Sequence, residues 1–260
     1  MKGAFNPFRL LGAEYDTPVG ISGHQVKSVL ICTTPRTGGH TLNEAFINAE
    51  WGVTMEYFNP DFMIPLQQRW IDKTTTNFVA ASSNLEGYGR HLLNSRSRGG
   101  VFSAKIFPSH VPSLDAAIPI TLSSRKHVHL VRHDKIAQTI SLAVTLLTKR
   151  AFNGEQQLKY LSKISIIDEA KMIEIFEWLK AGERYWKNYF LSIDPACVFT
   201  LSTEDLIANP RDRLIEISDK FDLPRSGLAT INIVDDPYKQ DSILKMELNR
   251  KFRLMLKKLI

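Results

Sequence analysis

The run VLICTTPRTGGHTLNEAF, from Val29 to Phe46, passes from an apolar stretch through a glycine pair into a helical pattern. Backbone N–H groups at such a turn, with a helix N-terminus behind them, form a cradle for a phosphate or sulfate group. Gly38 and Gly39 allow close approach, Thr37 and Thr41 add hydroxyls, and Arg36 offers a planar fork suited to an oxyanion. Set against the nucleotide-hydrolase pattern GxxxxGK(S/T), Gly39 and Thr41 fit, but Thr34 replaces the first glycine and His40 replaces the lysine. That lysine normally reaches the β- and γ-phosphates, so its loss argues against an ordinary ATPase loop.

A second cluster lies in LVRHDKIAQTISLA, where Arg132 ends an apolar run and Ser141 sits on the helical pattern that follows. A guanidinium and a hydroxyl so placed could hold a second phosphate. A surface arginine with an unrelated helix serine is the plainer reading. Two anion sites at neighbouring strand ends would suit a nucleotide phosphorylated at two ribose positions. No magnesium aspartate follows the strand directly, because VHLV runs into Arg132 and His133, and Asp134 is better used as a helix N-cap.

The elements that must position these residues follow from hydrophobic periodicity. Short apolar, β-branched runs at 27–34, 100–107, 126–132 and 196–202 read as strands buried on both faces. Helical patterns fall between them: TLNEAFINAEW, DKIAQTISLAVTLLTKR, the long run 167–193, and NPRDRLIEISDKF with Pro210 at its start. Strands alternating with helices predict an α/β fold, a P-loop-type three-layer αβα domain around a mostly parallel sheet. Ligands of such sheets bind at the carboxyl ends of the strands, which puts Thr34–Thr41 and Arg132–Asp134 on one rim. Residues 59–99 read as a helical insertion covering that rim, within a single domain over 1–260.

With 260 residues, 43% of them hydrophobic, the chain is large enough for such a core. The net charge of +6 suits a polyanionic ligand, a nucleic acid or an acidic membrane surface, and cannot choose among them. No nucleic-acid motif or basic stripe interleaved with aromatics is present. Cys32 and Cys197 show no metal or redox spacing and read as reduced thiols. No apolar span of ~20 residues occurs, so the expectation is a cytoplasmic protein. The basic segment at about 242–260 carries a broad apolar face; it reads as docking on the domain or a second subunit, or as attachment at the inner membrane surface.

Taken together, these pieces resemble the bacterial sulfotransferases of the trehalose 2-sulfotransferase type, which use 3′-phosphoadenosine 5′-phosphosulfate (PAPS). PRTGGHTL is similar to that family's 5′-phosphosulfate loop, and EYF at 56–58 to its acidic–aromatic motif. GVFSAKIF resembles a strand ending near a lysine, and LVRHDKIAQTISLA the 3′-phosphate segment. LSTEDLIANPRDRL and YKQDS resemble two later stretches. The chain departs at Gly39 and His40, where the family usually has Ser/Thr, at His133, and at Thr203, where the family has tyrosine.

The resemblance implies a PAPS-dependent transfer of a sulfuryl group to a hydroxyl of a carbohydrate or glycolipid, without a metal and with no nucleic acid as partner. A homodimer is compatible with it. It implies Arg36, Thr37, Gly38, Gly39, His40 and Thr41 at the 5′ end of the donor, with Arg132 and Ser141 at the 3′-phosphate. His133 competes with Arg132 for that role. Glu56 is the implied base, its carboxyl desolvated and raised by Tyr57 and Phe58, and Glu44 competes with it. His40 reads as a stabiliser of the transferring oxygens or as a neutral filler; Lys105 reads as a sulfuryl or acceptor contact or as a strand-edge ion pair. Trp51, Tyr57, Phe58 and Trp70 are acceptor platforms or core residues. The alternative class is a P-loop small-molecule kinase or NTPase.

Overall fold

The computed structural model describes residues 7–16, 26–119, 125–148, 169–228, 250 and 252–255. Four strands, β1 (Lys27–Cys32), β2 (Val101–Ile106), β3 (Arg125–Val131) and β4 (Val198–Ser202), pair in parallel in the order β2-β1-β3-β4. All four fall where the apolar β-branched runs predict strands. The direction of winding across the sheet therefore reverses at β1: the chain leaves β1 for β2 on one side and later returns to place β3 on the other, all strands staying parallel. The carboxyl ends of β1 and β3 flank that switch point, where open parallel sheets leave a crevice.

Alternate residues of β1 feed opposite layers, as the two-residue period of a strand requires. Leu30 and Cys32 join one buried cluster with Phe102 and Ala104 of β2. Val29 and Ile31 join another with Val128 and Leu130 of β3. The second cluster is closed by helix α1 (Gly39–Asn48), through Leu42 and Phe46, and by α9 (Pro210–Phe221), through Leu214, Ile217 and Phe221. The first is closed by α2 (Pro60–Trp70), α4 (Leu85–Arg96) and α5 (Val111–Ala117). Helices cover both faces of a parallel sheet, the three-layer α/β arrangement expected from the sequence.

Residues 59–99 are helical, comprising α2, the short α3 (Phe78–Ser82) and α4. Phe62, Met63, Leu66, Tyr88 and Leu92 place this segment in the core over one sheet face, so it is a layer of the fold. Its attachment is electrostatic as well as apolar. Fully buried Arg96 pairs with Asp16 at 2.8 Å and donates to the Leu10 carbonyl at 2.6 Å; Asp16 also meets Arg69 at 2.6 Å. Of the aromatic residues that the sequence leaves between acceptor platform and core, Trp51, Tyr57 and Phe58 are buried core residues.

Helix α6 (Lys135–Thr148) starts where expected, with Asp134 Oδ1 accepting from Ala137 N–H at 2.9 Å. It packs against α7 (Glu169–Phe190) through Ile140, Ala143, Met172 and Ile175. Phe252 is buried in the same cluster, and Arg253 pairs with Asp134 at 2.7 Å. That stretch of the basic tail docks on the domain; YKQDS and most of 242–260 lie outside the described residues. No helix among the described residues is long and apolar enough to cross a membrane.

Candidate functional site

The glycine turn after β1 is held in one shape by contacts from three directions. Gly38 takes φ 77°, and a Cβ there would meet Thr203 Cγ2 at 2.9 Å, so both backbone and space require glycine. Thr203 opens α8 (Thr203–Ala208); its hydroxyl donates to the Thr37 carbonyl and lies 3.1 Å from the Val131 carbonyl. The threonine standing where the resembled family has tyrosine thus ties the loop to the end of β3. From α6, the buried Gln138 donates to Thr34 Oγ1 at 2.9 Å and to the Pro35 carbonyl at 2.7 Å. From α7, Trp186 Nε1 donates to the Thr33 carbonyl at 2.8 Å.

Arg36 adopts φ 65°, a left-handed conformation that is uncommon outside glycine and costs of order 1 kcal/mol or more. Its Nε donates to Ser141 Oγ at 2.8 Å, and Arg132 Nη1 donates to its carbonyl at 3.1 Å. The two anion clusters read separately from the sequence therefore meet, with Arg36 bridging loop and α6. His133 is exposed, and its backbone N–H donates to Glu204 at 3.1 Å, as does that of Asp134 at 3.3 Å. Glu204 thus holds the turn after β3. Thr37 faces inward: its Oγ1 lies 2.5 Å from Thr33 Oγ1 and 3.0 Å from the Thr34 carbonyl. Thr41 stands in the first turn of α1, with its N–H donating to the Gly38 carbonyl at 3.0 Å.

Glu56 reaches the same rim by a different route. The segment before it runs along β2, where Lys105 N–H donates to the Met55 carbonyl at 3.0 Å. This sets Glu56 beside Lys105, with Oε1 2.7 Å from Nζ. Asn59 fixes the other oxygen: its Nδ2 donates to Glu56 Oε2 at 3.1 Å, while its Oδ1 accepts from Asp61 N–H at 3.1 Å and caps α2. Because the cap takes the amide oxygen, the NH₂ group must face the carboxylate.

The charge state of this group differs from the raised carboxyl expected from its aromatic flanks. Burial does push Glu56 up, but the Lys105 ammonium and its hydrogen bond, with His40 and Asn59 adding, bring it down to about 2. Glu56 is ionised. His40 moves the opposite way: burial, then Lys105, then Arg36 hold it well below the usual histidine range, against the pull of Glu56. Of the two roles open to His40, neutral filler and charged stabiliser, its environment favours a neutral ring. Glu44 is exposed on α1.

Sequence reasoning missed three residues here. Asn59 could have been found from the Asn-Pro pair at a helix start, three residues after Glu56. Gln138 lies one helical turn before Ser141 on the same face. His110 accepts the Phe107 N–H on Nδ1 at 3.3 Å, which leaves its proton on Nε2. Burial lowers it to about 4, with Lys105 adding to that and Glu56 pulling the other way. Nothing in the local sequence distinguishes it from a core histidine.

No family model and no curated protein matches the chain. Among solved structures, the sulfotransferase domain from the curacin biosynthetic pathway superposes with a TM-score of 0.50 at 14% identity, over 86% of this chain and 83% of that one. The sulfotransferase domain from the Synechococcus PCC 7002 olefin synthase gives 0.49 at 13% identity, covering 89% and 96%. A sulfotransferase from Alicyclobacillus acidocaldarius gives 0.47 at 12%, covering 90% and 94%. At these identities the likeness is one of fold.

Proposed function

We propose that the chain is a sulfotransferase that moves the sulfuryl group of PAPS to a hydroxyl of a carbohydrate or glycolipid, in the manner of the trehalose 2-sulfotransferase type. The observation that carries this reading is the meeting of a glycine anion cradle, three cations and an ionised buried carboxylate on one rim. The residues fit an adenosine ligand that carries anionic groups at both its 3′ and 5′ positions. A Cβ at Gly38 would strike Thr203 and one at Gly39 the Lys105 stem, so the turn needs both glycines; Lys105 borders it, and Arg132 and Ser141 stand beside Arg36.

The donor, when bound, supplies an activated sulfuryl group: acceptor oxygen bonds to sulfur, the sulfur–phosphate oxygen bond breaks, and adenosine 3′,5′-bisphosphate leaves. The chain's own part is positioning and charge. Arg36, Gly38, Gly39 and Thr41 line the cradle, and the buried Thr37 side chain braces it through Thr33 and the Thr34 carbonyl. Arg132 and Ser141 take the 3′-phosphate. Lys105 neutralises charge on the transferring oxygens, and Glu56, aimed by Asn59, accepts the proton released by the acceptor hydroxyl. The carbohydrate or glycolipid acceptor rests on the family resemblance.

The kinase reading asks for a loop lysine and an aspartate free to hold magnesium. His40 stands in the first place, and Asp134 caps α6 and pairs with Arg253. A thermal-shift comparison tests the choice. Metal-free adenosine 3′,5′-bisphosphate is expected to raise the melting temperature. Equal or greater stabilisation by magnesium ATP would overturn the sulfotransferase reading.

A further inference from the structure

The Glu56–Lys105 pair is buried beside the glycine turn, its side chains only 12% and 4% exposed. The lysine stem runs past Gly39, where a Cβ would lie 2.8 Å from Cδ and 3.5 Å from Nζ. One ammonium group is therefore within reach of both the carboxylate and the loop. The loop's own lysine position holds His40, whose environment keeps it neutral, so the cation at this point comes from β2. A carboxylate and a loop anion would compete for it.

We propose that Lys105 is a movable counter-ion shared between Glu56 and an anion seated in the glycine loop, so that filling the loop frees the Glu56 carboxylate for the acceptor proton. This rests on the sulfotransferase reading above and adds an order of events to it. While Lys105 is parked on Glu56, the carboxylate is a weak base. Once the ammonium turns to the loop, burial acts on Glu56 with less opposition and its basicity rises. Asn59 stays behind to hold the orientation. Among the described residues, the other titratable groups that act on the pair are His40 and His110, with Arg36 acting on His40. The two histidines are held neutral and Arg36 is engaged with Ser141, so none of them replaces the ammonium.

Coupling of this kind is reciprocal: if an anion weakens the hold of Lys105 on Glu56, removing the charge on Glu56 must strengthen the hold on the anion. Isothermal titration of metal-free adenosine 3′,5′-bisphosphate into the wild type, Glu56→Gln, Lys105→Met and the double variant tests it. Glu56→Gln is expected to bind about fivefold tighter or more, and Lys105→Met about tenfold weaker, with no gain from Glu56→Gln in the Lys105→Met background. A residue that merely shapes the site would give no such gain. Unchanged or weaker binding by Glu56→Gln, beside intact wild-type binding, overturns the counter-ion proposal and leaves the sulfotransferase reading standing. That arm does not depend on Lys105→Met folding. A gain that persists without Lys105 overturns the proposal equally, and absence of bisphosphate binding by the wild type overturns both.

Discussion

Gly39 is the residue on which loop and carboxylate depend together, because its missing side chain is the space that Lys105 passes through. A Cβ there would sit 2.8 Å from Lys105 Cδ, and the far end of that side chain is pinned by Glu56. Gly39→Ala is therefore expected to cost about 1–3 kcal/mol of stability, read from the urea midpoint, and to weaken bisphosphate binding. Unchanged stability would show that Lys105 is free to move aside. Arg36→Ala should lose affinity about tenfold or more, since a charged hydrogen-bond donor leaves the loop. Glu56→Gln should lower turnover about 100-fold or more without any loss of bisphosphate affinity. Turnover near the wild-type rate would remove Glu56 from the base role.

The strands were readable because each is a short β-branched run bounded by polar residues, and burial on both faces leaves such runs with little competing pattern. The helices around the loop were readable from Asp134 and Pro210 at their starts. What the sequence did not reveal is how the segment 53–59 folds back along β2, because that pairing is made by one isolated bridge at Met55 and Ala104. The consequence was a wrong sign for Glu56: its aromatic flanks are visible in the sequence, whereas Lys105 lies 49 positions away and meets it only through the sheet. The segment 59–99 is held by a related long-range contact, Arg96 on Asp16, which lies outside the segment itself and leaves no local signal. Asp16→Ala would leave Arg96 buried without its carboxylate. A loss of about 2 kcal/mol or more in chemical denaturation is expected, somewhat below the cost of a fully buried pair because Asp16 keeps some solvent contact. A change under about 0.5 kcal/mol would show that the segment holds by apolar packing alone.

At the scale of the whole molecule, β3 carries two buried histidines at the sheet face covered by α7. His129 packs on Phe190 with ring centroids 5.0 Å apart, and His127 lies against Tyr189 at 5.8 Å. Burial first, then Lys135 and Lys187 at His129 and Arg125 and Lys126 at His127, lowers each to about 4 from an ordinary 6.5, the Cys197 carbonyl opposing at His127. The unfolded chain takes up these protons below about pH 6.5 and the native state only near pH 4, so stability is full above 6.5 and is lost as pH falls through that window. Each histidine contributes up to about 3 kcal/mol to that loss. Glu56 adds to it at lower pH, from about 4.5 down to about 2, since its native carboxyl resists protonation. Urea midpoints at pH 7 and pH 5 should differ accordingly, and His129→Phe should narrow the difference; equal midpoints would contradict the buried neutral rings.

Where a doubly phosphorylated adenosine sits on the protein decides between sulfuryl transfer and every other reading. A crystal structure of the protein with adenosine 3′,5′-bisphosphate and no divalent metal is expected to show one phosphate over Gly38 and Gly39 and the other beside Arg132 and Ser141. Density elsewhere, or an empty loop at saturating ligand, would contradict it.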